Sequence, residues 1–423
     1  MALSDGLDRP LLAGFGEPGR AVPEAGALRP APDMSALAGG TGRIATRLVV
    51  HCPGFEPLDA GAHRARYQRA ARQSAAVHGL AIEVGPLEKI GSAGAFTVTC
   101  RNPEGAGPAG ETTSSRIVLI DHASLVAALT RRPLAVRLAS GALSALRVVG
   151  EGGLAGYLRH GWRFALFFLF PFLMVGLMLG GAGLGAALPL ILGLSPLHLI
   201  WSLPAAVLLF TRLLLPLGNR FHCLLLFADW QMAVAIARQD RPAINEWLTA
   251  SLETMRQAID EAGAVDEIVV SGHSMGASIA AMLLGSLIER DAALLEGRRV
   301  TMVTLGSAIL QCALLRSASL LRADVGRIAR FPGLRWIDVQ CLTDPIHFYK
   351  APVVALCGHP DSPPAAILQL RLKQVLSPER YRRIRLSFLR VHRQYVLGPD
   401  RPARFDFTLL TAGPSPAASL LDR

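Results

Sequence analysis

The sequence predicts an α/β fold, in which a mostly parallel β-sheet carries helices on both faces and is interrupted by an inserted pair of long apolar helices. In the second half of the chain, short apolar runs alternate with helical stretches, a pattern typical of parallel strands joined by crossover helices. The segment from Phe164 to Thr211 carries no formal charge. It is too long for one membrane crossing of about 20 residues and fits two.

The first part of the chain predicts an unstructured lead-in followed by the start of the folded domain. Residues 1–42 are rich in Ala, Gly and Pro without periodicity, so we expect them to be disordered. Residues 43–158 are assigned to the folded domain. The elements predicted there are a strand over 46–52, a turn at Pro53–Gly54, a helix over 59–77, a strand over 96–101, a Gly/Pro loop over 102–114 and a strand over 116–121.

Residues 159–220 predict a transmembrane hairpin of two helices, over about 164–183 and 190–211, with the Gly-rich stretch 180–189 as the turn. Neither helix has a polar face, which argues against the alternative of a buried helical hairpin or a lid. Arginines flank the outer ends, whereas the turn is uncharged. The positive-inside rule then places both termini and the folded domain on the cytoplasmic side of an inner membrane.

The rest of the folded domain is assigned to residues 221–413, followed by a flexible tail over 414–423. Its alternating pattern predicts a mostly parallel sheet. The elements predicted in chain order are two helices within 222–263, a strand over 267–271, a helix over 275–290, a strand over 300–305, a helix over 308–329, a strand over 336–342, a helix over 364–376 and a strand over 384–391.

Charge and cysteine content narrow the range of partners. The formal charge of +11 at pH 7 fits a protein on an anionic membrane surface, although a general bias toward arginine explains it equally well. The basic run over 371–393 has the same two interpretations, headgroup contact or a solvated surface. No nucleic-acid-binding signature occurs, so we expect no nucleic acid partner. The six cysteines lack metal-ligand spacing, and we predict neither metal nor cofactor.

The strongest chemical signal is the sequence from Gly272 to Gly276, which reads GHSMG and lies between an apolar strand and a helix. A G-x-S-x-G alone is weak evidence, because it also occurs in ordinary turns. The strand–turn–helix context is that of a nucleophile elbow, in which the flanking residues Gly272, Gly276 and Ala277 leave room for the close approach of strand and helix. We therefore predict that Ser274 is a nucleophile.

A serine nucleophile needs a histidine base, which in turn needs a carboxylate to orient it, and around such an elbow they follow in the order Ser, acid, His. Asp344 directly follows a predicted strand and is the predicted acid, with Asp338 as the alternative. His392 follows the predicted last strand and is the predicted base. His347 and His359 are alternatives that lie close to the acid in sequence.

The oxyanion hole is predicted to combine the backbone N–H of Met275 with one from the turn after the first strand. Pro53 and Gly54 tighten that turn. Phe55 is the first choice for the second donor and Gly54 the second choice.

The segment VSGHSMGASIAAML resembles the elbow of class 3-type lipases and related α/β-hydrolases, with Met275 and Ala277 in place of the more usual Leu and Gly. Over about residues 45–413 the chain is similar to membrane-associated bacterial hydrolases of unassigned substrate. The resemblance rests on the elbow, the apolar pair before it, and four further segments: Pro53–Phe55, Trp336–Phe348, His392–Tyr395 and Phe405–Phe407. It implies an α/β-hydrolase fold. Related chains tend to have Gly directly after the first strand's His, where this chain has Cys52-Pro53.

Together these observations predict a membrane-anchored serine hydrolase that cleaves a lipid-like or acyl ester, or a thioester, through an acyl-enzyme. Residues 307–333 are a candidate cap over its pocket. Two alternatives remain. The same three residues can transfer an acyl group to an alcohol instead of water. A catalytically silent hydrolase fold can also serve as a membrane interaction module, since fold does not guarantee activity.

Overall fold

A computed structural model describes residues 42–102 and 112–421 of the chain. Apart from Gly42, the segment predicted to be disordered lies outside these residues. Most of the predicted Gly/Pro loop and the last two residues of the predicted tail also lie outside them. Elements from before and after the apolar pair join one nine-stranded sheet within this part of the chain.

The first strand matches its prediction, because the apolar centre Leu48–Val50 and the turn at Pro53 favour a buried strand. Asp59 caps the start of the first helix, because its side chain accepts a hydrogen bond from the Ala62 N–H. Gly79 caps its end in the left-handed region. The elements before the apolar pair are β1 (Thr46–Cys52), α1 (Ala60–His78), β2 (Ala81–Val84), β3 (Glu88–Ile90), β4 (Ala93–Arg101), β5 (Thr112–Leu119), α2 (Ala123–Thr130), α3 (Leu134–Gly150) and α4 (Gly153–His160).

The apolar pair consists of helix α5 (Trp162–Ile191) and a second helical segment over Pro196–Asn219, and both are long and apolar enough to cross a membrane. The second segment contains α6 (Leu199–Leu208), a π-helical stretch and α7 (Leu215–Asn219). The prediction that 180–189 forms the turn is wrong, because these residues are helical and the chain turns after Ile191. Ala182 and Ala186 of this stretch are buried, and the Ser202 hydroxyl donates to the Ala186 carbonyl at 2.8 Å.

After the pair, two helices and the remaining strands follow. These elements are α8 (Cys223–Arg238), α9 (Pro242–Ala262), β6 (Glu267–His273), α10 (Met275–Asp291), β7 (Val300–Leu305), α11 (Ile309–Ala313), α12 (Ser319–Arg330), β8 (Leu334–Gln340), α13 (Val353–Leu356), β9 (Ala366–Gln369), α14 (Leu372–Val375), α15 (Pro378–Ile384), α16 (Phe388–His392) and α17 (Phe407–Ala412).

The strands are arranged in the order β2-β4-β5-β1-β6-β7-β8-β9, with β3 paired to β4. From β5 to β9 all pairs are parallel, and only the pairs that involve β4 are antiparallel. Successive residues of β1 point to opposite faces: Leu48 and Val50 join the core formed with α8 to α12, and Val49 joins the core formed with α1 and α17. The predicted mostly parallel sheet with helices on both faces is therefore confirmed.

Two predicted elements near the carboxyl terminus are wrong. Residues 384–391 form no strand but the end of α15, a short connection and most of α16; Ser377 caps α15 and Pro378 occupies its first turn. Residues 364–376, predicted as a helix, contain β9, which pairs with β8, and the one-turn helix α14. A short apolar run is compatible with both helical and strand periodicity. Residues Ala366–Gln369 form a strand because they pair with the edge of β8. The predicted helix over 308–329 is divided into α11 and α12.

Candidate active site

Ser274 lies at a sharp turn between β6 and α10, with φ 55° and ψ −124°. This region of backbone conformation is sparsely populated for residues other than glycine, so the turn is strained. A Cβ at residue 272 would lie 2.5 Å from the Ala277 Cα, and one at residue 276 would lie 2.0 Å from the Cys52 carbonyl oxygen. The predicted elbow residues therefore stand where only glycine, or at position 277 a small side chain, fits.

The Asp344 carboxylate is buried and contacts the His392 ring. Its Oδ2 accepts a hydrogen bond from His392 Nδ1 at 2.7 Å, and its Oδ1 accepts one from the backbone N–H of Ile346 at 2.9 Å. His347 Nδ1 lies 3.4 Å from the same Oδ2. Burial opposes ionisation of this carboxyl, but the two imidazoles outweigh it and hold its pKa well below the ordinary value. Asp344 is therefore an ionised acceptor that fixes a proton on His392 Nδ1.

With its proton held on Nδ1, the His392 ring presents Nε2 as a hydrogen-bond acceptor. In the described part of the chain this buried Nε2 has no partner, and Ser274 and His392 line the same cavity. No hydrogen bond joins the Ser274 hydroxyl to Nε2 in this structure. Gly306, directly after β7, leaves room for the rings of His392 and Tyr395. A Cβ there would lie 3.1 Å from His392 Cε1 and 2.5 Å from Tyr395 Cε2.

The other histidines and the alternative acid take different places. His273 lies beside the elbow, with its ring centroid 4.7 Å from that of His392, and its Nε2 donates to the His392 carbonyl at 3.0 Å. Burial lowers the pKa of His273 to about 3, so it is neutral. His359 Nε2 donates instead to the Arg322 carbonyl. Asp338 accepts hydrogen bonds from Thr304 and Gln340 and lies inside β8, away from His392.

The turn after β1 lies directly against the elbow, as the order of the strands requires for β1 and β6. A Cβ at Gly54 would lie 3.4 Å from the Ser274 Cβ. Gly54 and Phe55 both line the cavity. Met275 is the first residue of α10, so its N–H has no partner within the helix. The predicted backbone donors, Met275 on the elbow and Phe55 or Gly54 on the turn after β1, therefore lie next to Ser274.

Glu56, which sequence reasoning did not single out, ties this turn to the segment that carries His392. Its carboxylate forms ion pairs with Arg66 of α1 and with Arg393, the residue after His392. Burial would raise the pKa of Glu56, but these two guanidinium groups lower it to about 2. The ion pairs therefore fix the relative positions of the turn and α16. No sequence pattern pairs residue 56 with residue 393, since they are brought together only by the fold.

The cavity beside Ser274 has a mostly apolar wall. Part of that wall comes from the base of the apolar pair and from the helix that follows it, through Phe167, Leu225 and Leu226. The predicted cap over 307–333 contributes Gln311, whereas α12 packs against α10. The wall also contains Asp229 of α8, a second buried acid that sequence reasoning missed. Within residues 42–102 and 112–421, no cluster of His, Cys, Asp and Glu has the geometry of a metal site.

Residues 224–317 match the family lipase (class 3). The match extends from α8 to the loop after α11 and contains the whole elbow, and it supports a lipase-like, ester-hydrolysing function. The resemblance to class 3-type lipases is thereby confirmed over this segment, which lies before both Asp344 and His392. No curated protein and no solved structure matches the chain.

Proposed function

We propose that this chain is a serine hydrolase that cleaves ester or thioester bonds, with Ser274 as nucleophile, His392 as general base and Asp344 as the residue that orients the base. The observation that carries the proposal is the 2.7 Å hydrogen bond from His392 Nδ1 to Asp344 Oδ2. It leaves His392 Nε2 without a partner in the described part of the chain, and Ser274 lines the same cavity as His392. The mechanism requires the Ser274 hydroxyl to bond to Nε2 when substrate is present, since catalytic hydrogen bonds often tighten only then.

In this mechanism the Ser274 oxygen bonds to the substrate carbonyl carbon while its proton passes to His392 Nε2. The resulting imidazolium, stabilised by Asp344, returns the proton to the leaving alcohol or thiol as the carbon–oxygen or carbon–sulfur bond breaks. Water then attacks the acyl-enzyme by the same route and releases the acid. The oxyanion accepts hydrogen bonds from the N–H of Met275 and from Phe55 or Gly54, next to the positive end of α10.

We further propose that the apolar pair anchors the enzyme in a bilayer. Helix α5 has 30 residues and is about 45 Å long. Its first turns pack into the domain, where Phe168 contacts Trp230 with ring centroids 4.7 Å apart. The remaining length of about 30 Å matches the hydrocarbon thickness of a membrane. Large apolar side chains are exposed on both helices, among them Leu177 at 74 % and Ile200 at 75 %, as expected for lipid-facing surface.

The anchor suggests the substrate class. Because Phe167 and Leu225 belong to the anchor base and to the helix that follows it, the cavity lies beside the proposed membrane surface. A lipid-like ester reaches Ser274 from the bilayer without crossing water. Because arginines flank the outer ends of the pair and its turn is uncharged, we propose that the hydrolase domain and both termini lie in the cytoplasm. Cysteines introduced one at a time at exposed positions, such as Leu386 and the turn after Ile191, test this: membrane-impermeant thiol reagents should label only the turn in intact cells.

Labelling with a fluorophosphonate probe in detergent or lipid tests the catalytic proposal. The wild type should react at residue 274, and Ser274→Ala should abolish the label. Ser278→Ala, a change on the same helix outside the cavity, is the matched control and should label normally. Folded wild type that fails to label would overturn the proposal and favour a silent interaction module. Product analysis with an added alcohol then separates hydrolysis from acyl transfer.

A further inference from the structure

The cavity beside Ser274 contains a carboxylate that the proposed mechanism does not use. Asp229 of α8 is only 8 % exposed and lines the cavity, whose wall is mostly apolar. His392 Nδ1 already donates its orienting hydrogen bond to Asp344, so the base needs no second acid. An ionised carboxyl in an apolar wall is costly unless a partner compensates it.

The contacts of Asp229 within the protein are incomplete. Its Oδ2 accepts one hydrogen bond, from Gln311 Nε2 at 2.9 Å. Among the residues that the structure describes, no other hydrogen bond and no Lys or Arg ion pair reaches this carboxylate. Burial raises its pKa to about 6, against the opposing effects of Gln311 and of His392. Glu56, by contrast, carries two guanidinium partners at the rim of the same cavity.

A substrate group can supply the missing partner. Only a hydrogen-bond donor satisfies a carboxylate oxygen, and both a hydroxyl and an ammonium qualify. Arg393 also lines the cavity, and an ammonium group would meet its positive charge as well as the imidazolium that forms on His392 during reaction. A neutral hydroxyl group avoids that repulsion.

We propose that Asp229 binds a hydroxyl group of the substrate close to the scissile bond, so that the enzyme prefers hydroxyl-bearing esters, such as partial esters of a polyol, to simple alkyl esters. This inference rests on the proposed hydrolase function. It makes Asp229 a specificity-determining residue and Gln311 the residue that holds its carboxylate in place.

The test compares kcat/KM for esters of one acid, octanoate, with four alcohol parts: glycerol, dimethylated glycerol, propanol and ethanolamine. Wild type should favour the glycerol ester over the propyl ester by roughly 10- to 100-fold, the usual value of a hydrogen bond to a charged group. Methylation of both free hydroxyls should remove this preference, which tests the inference without any protein variant. A greater preference for the ethanolamine ester would overturn the hydroxyl assignment.

The variant Asp229→Asn keeps an oxygen for Gln311 but turns an NH₂ donor toward the cavity. It should reduce the glycerol-to-propyl ratio to about one. Asp324→Asn, the same change at a buried acid of α12 outside the cavity, is the control and should keep the wild-type ratio. If Asp229→Asn keeps both the ratio and fluorophosphonate labelling, the inference fails and the hydrolase proposal stands. If the wild type itself does not label, both fail.

Discussion

The backbone of Ser274 provides a stability test of the elbow that does not depend on any substrate. With φ 55° and ψ −124°, this residue occupies a region that side chains with a Cβ rarely adopt. Replacement by alanine removes the hydroxyl and keeps the strain, whereas replacement by glycine removes both. The comparison of Ser274→Ala with Ser274→Gly therefore isolates the strain.

Backbone strain of this kind costs about 1–3 kcal/mol. Glycine in turn loses about 0.5–1 kcal/mol through the greater freedom of its unfolded chain. We therefore expect Ser274→Gly to be more stable than Ser274→Ala, by up to about 2.5 kcal/mol. At Ser278, inside helix α10, no strain opposes the entropy term. The order reverses there, and Ser278→Gly should be about 1 kcal/mol less stable than Ser278→Ala.

Urea unfolding in detergent, followed by tryptophan fluorescence, measures the four variants side by side. The opposite signs at residues 274 and 278 are the critical result, since a general effect of glycine on the denatured chain has the same sign at both. If glycine is the less stable variant at both positions, residue 274 is not strained. The elbow would then not present its hydroxyl as described.

Three further predictions follow from single contacts. Asp344→Asn should lower kcat/KM about 10⁴-fold while the fold survives, because the amide no longer fixes the proton on the base; a loss below tenfold would contradict its role. Gly276→Ala should lower the rate at least 100-fold, since its Cβ would meet the Cys52 carbonyl, whereas Gly180→Ala, with open space around it, should have no effect on the rate. Burial raises the pKa of Asp229 from 3.8 to about 6, so its charge destabilises the folded state above pH 6 and progressively less as the pH falls toward 3.8. Asp229→Asn should therefore stabilise the protein by about 3 kcal/mol at pH 8 and by about half as much at pH 5. Urea unfolding measures both values, and an equal stabilisation at the two pH values would refute the raised pKa of Asp229.

Much of the sheet was predictable because its signals are local. Residues 46–52 and 300–305 form strands with the predicted bounds, and two helices, α8 and α9, lie within 222–263 as predicted. The elbow was predictable for the same reason, since a few adjacent residues encode both the turn and the clearance around it. The prediction failed at 384–391, where polar residues are interspersed among apolar ones and α15 and α16 form instead. His392 was predicted to lie on the loop after that strand, yet it contacts Asp344 from the end of a short helix.

Local sequence patterns are enough to predict the parallel strands, the apolar pair and the position of Ser274, because each depends on side chains a few residues apart. The contact of Asp344 with His392 rather than His359, the bridge of Glu56 to two arginines and the position of Asp229 at the cavity became visible in the folded chain. These contacts join residues far apart in the chain, and their geometry depends on the order of the strands and on the packing of helices around them. No local pattern contains that information.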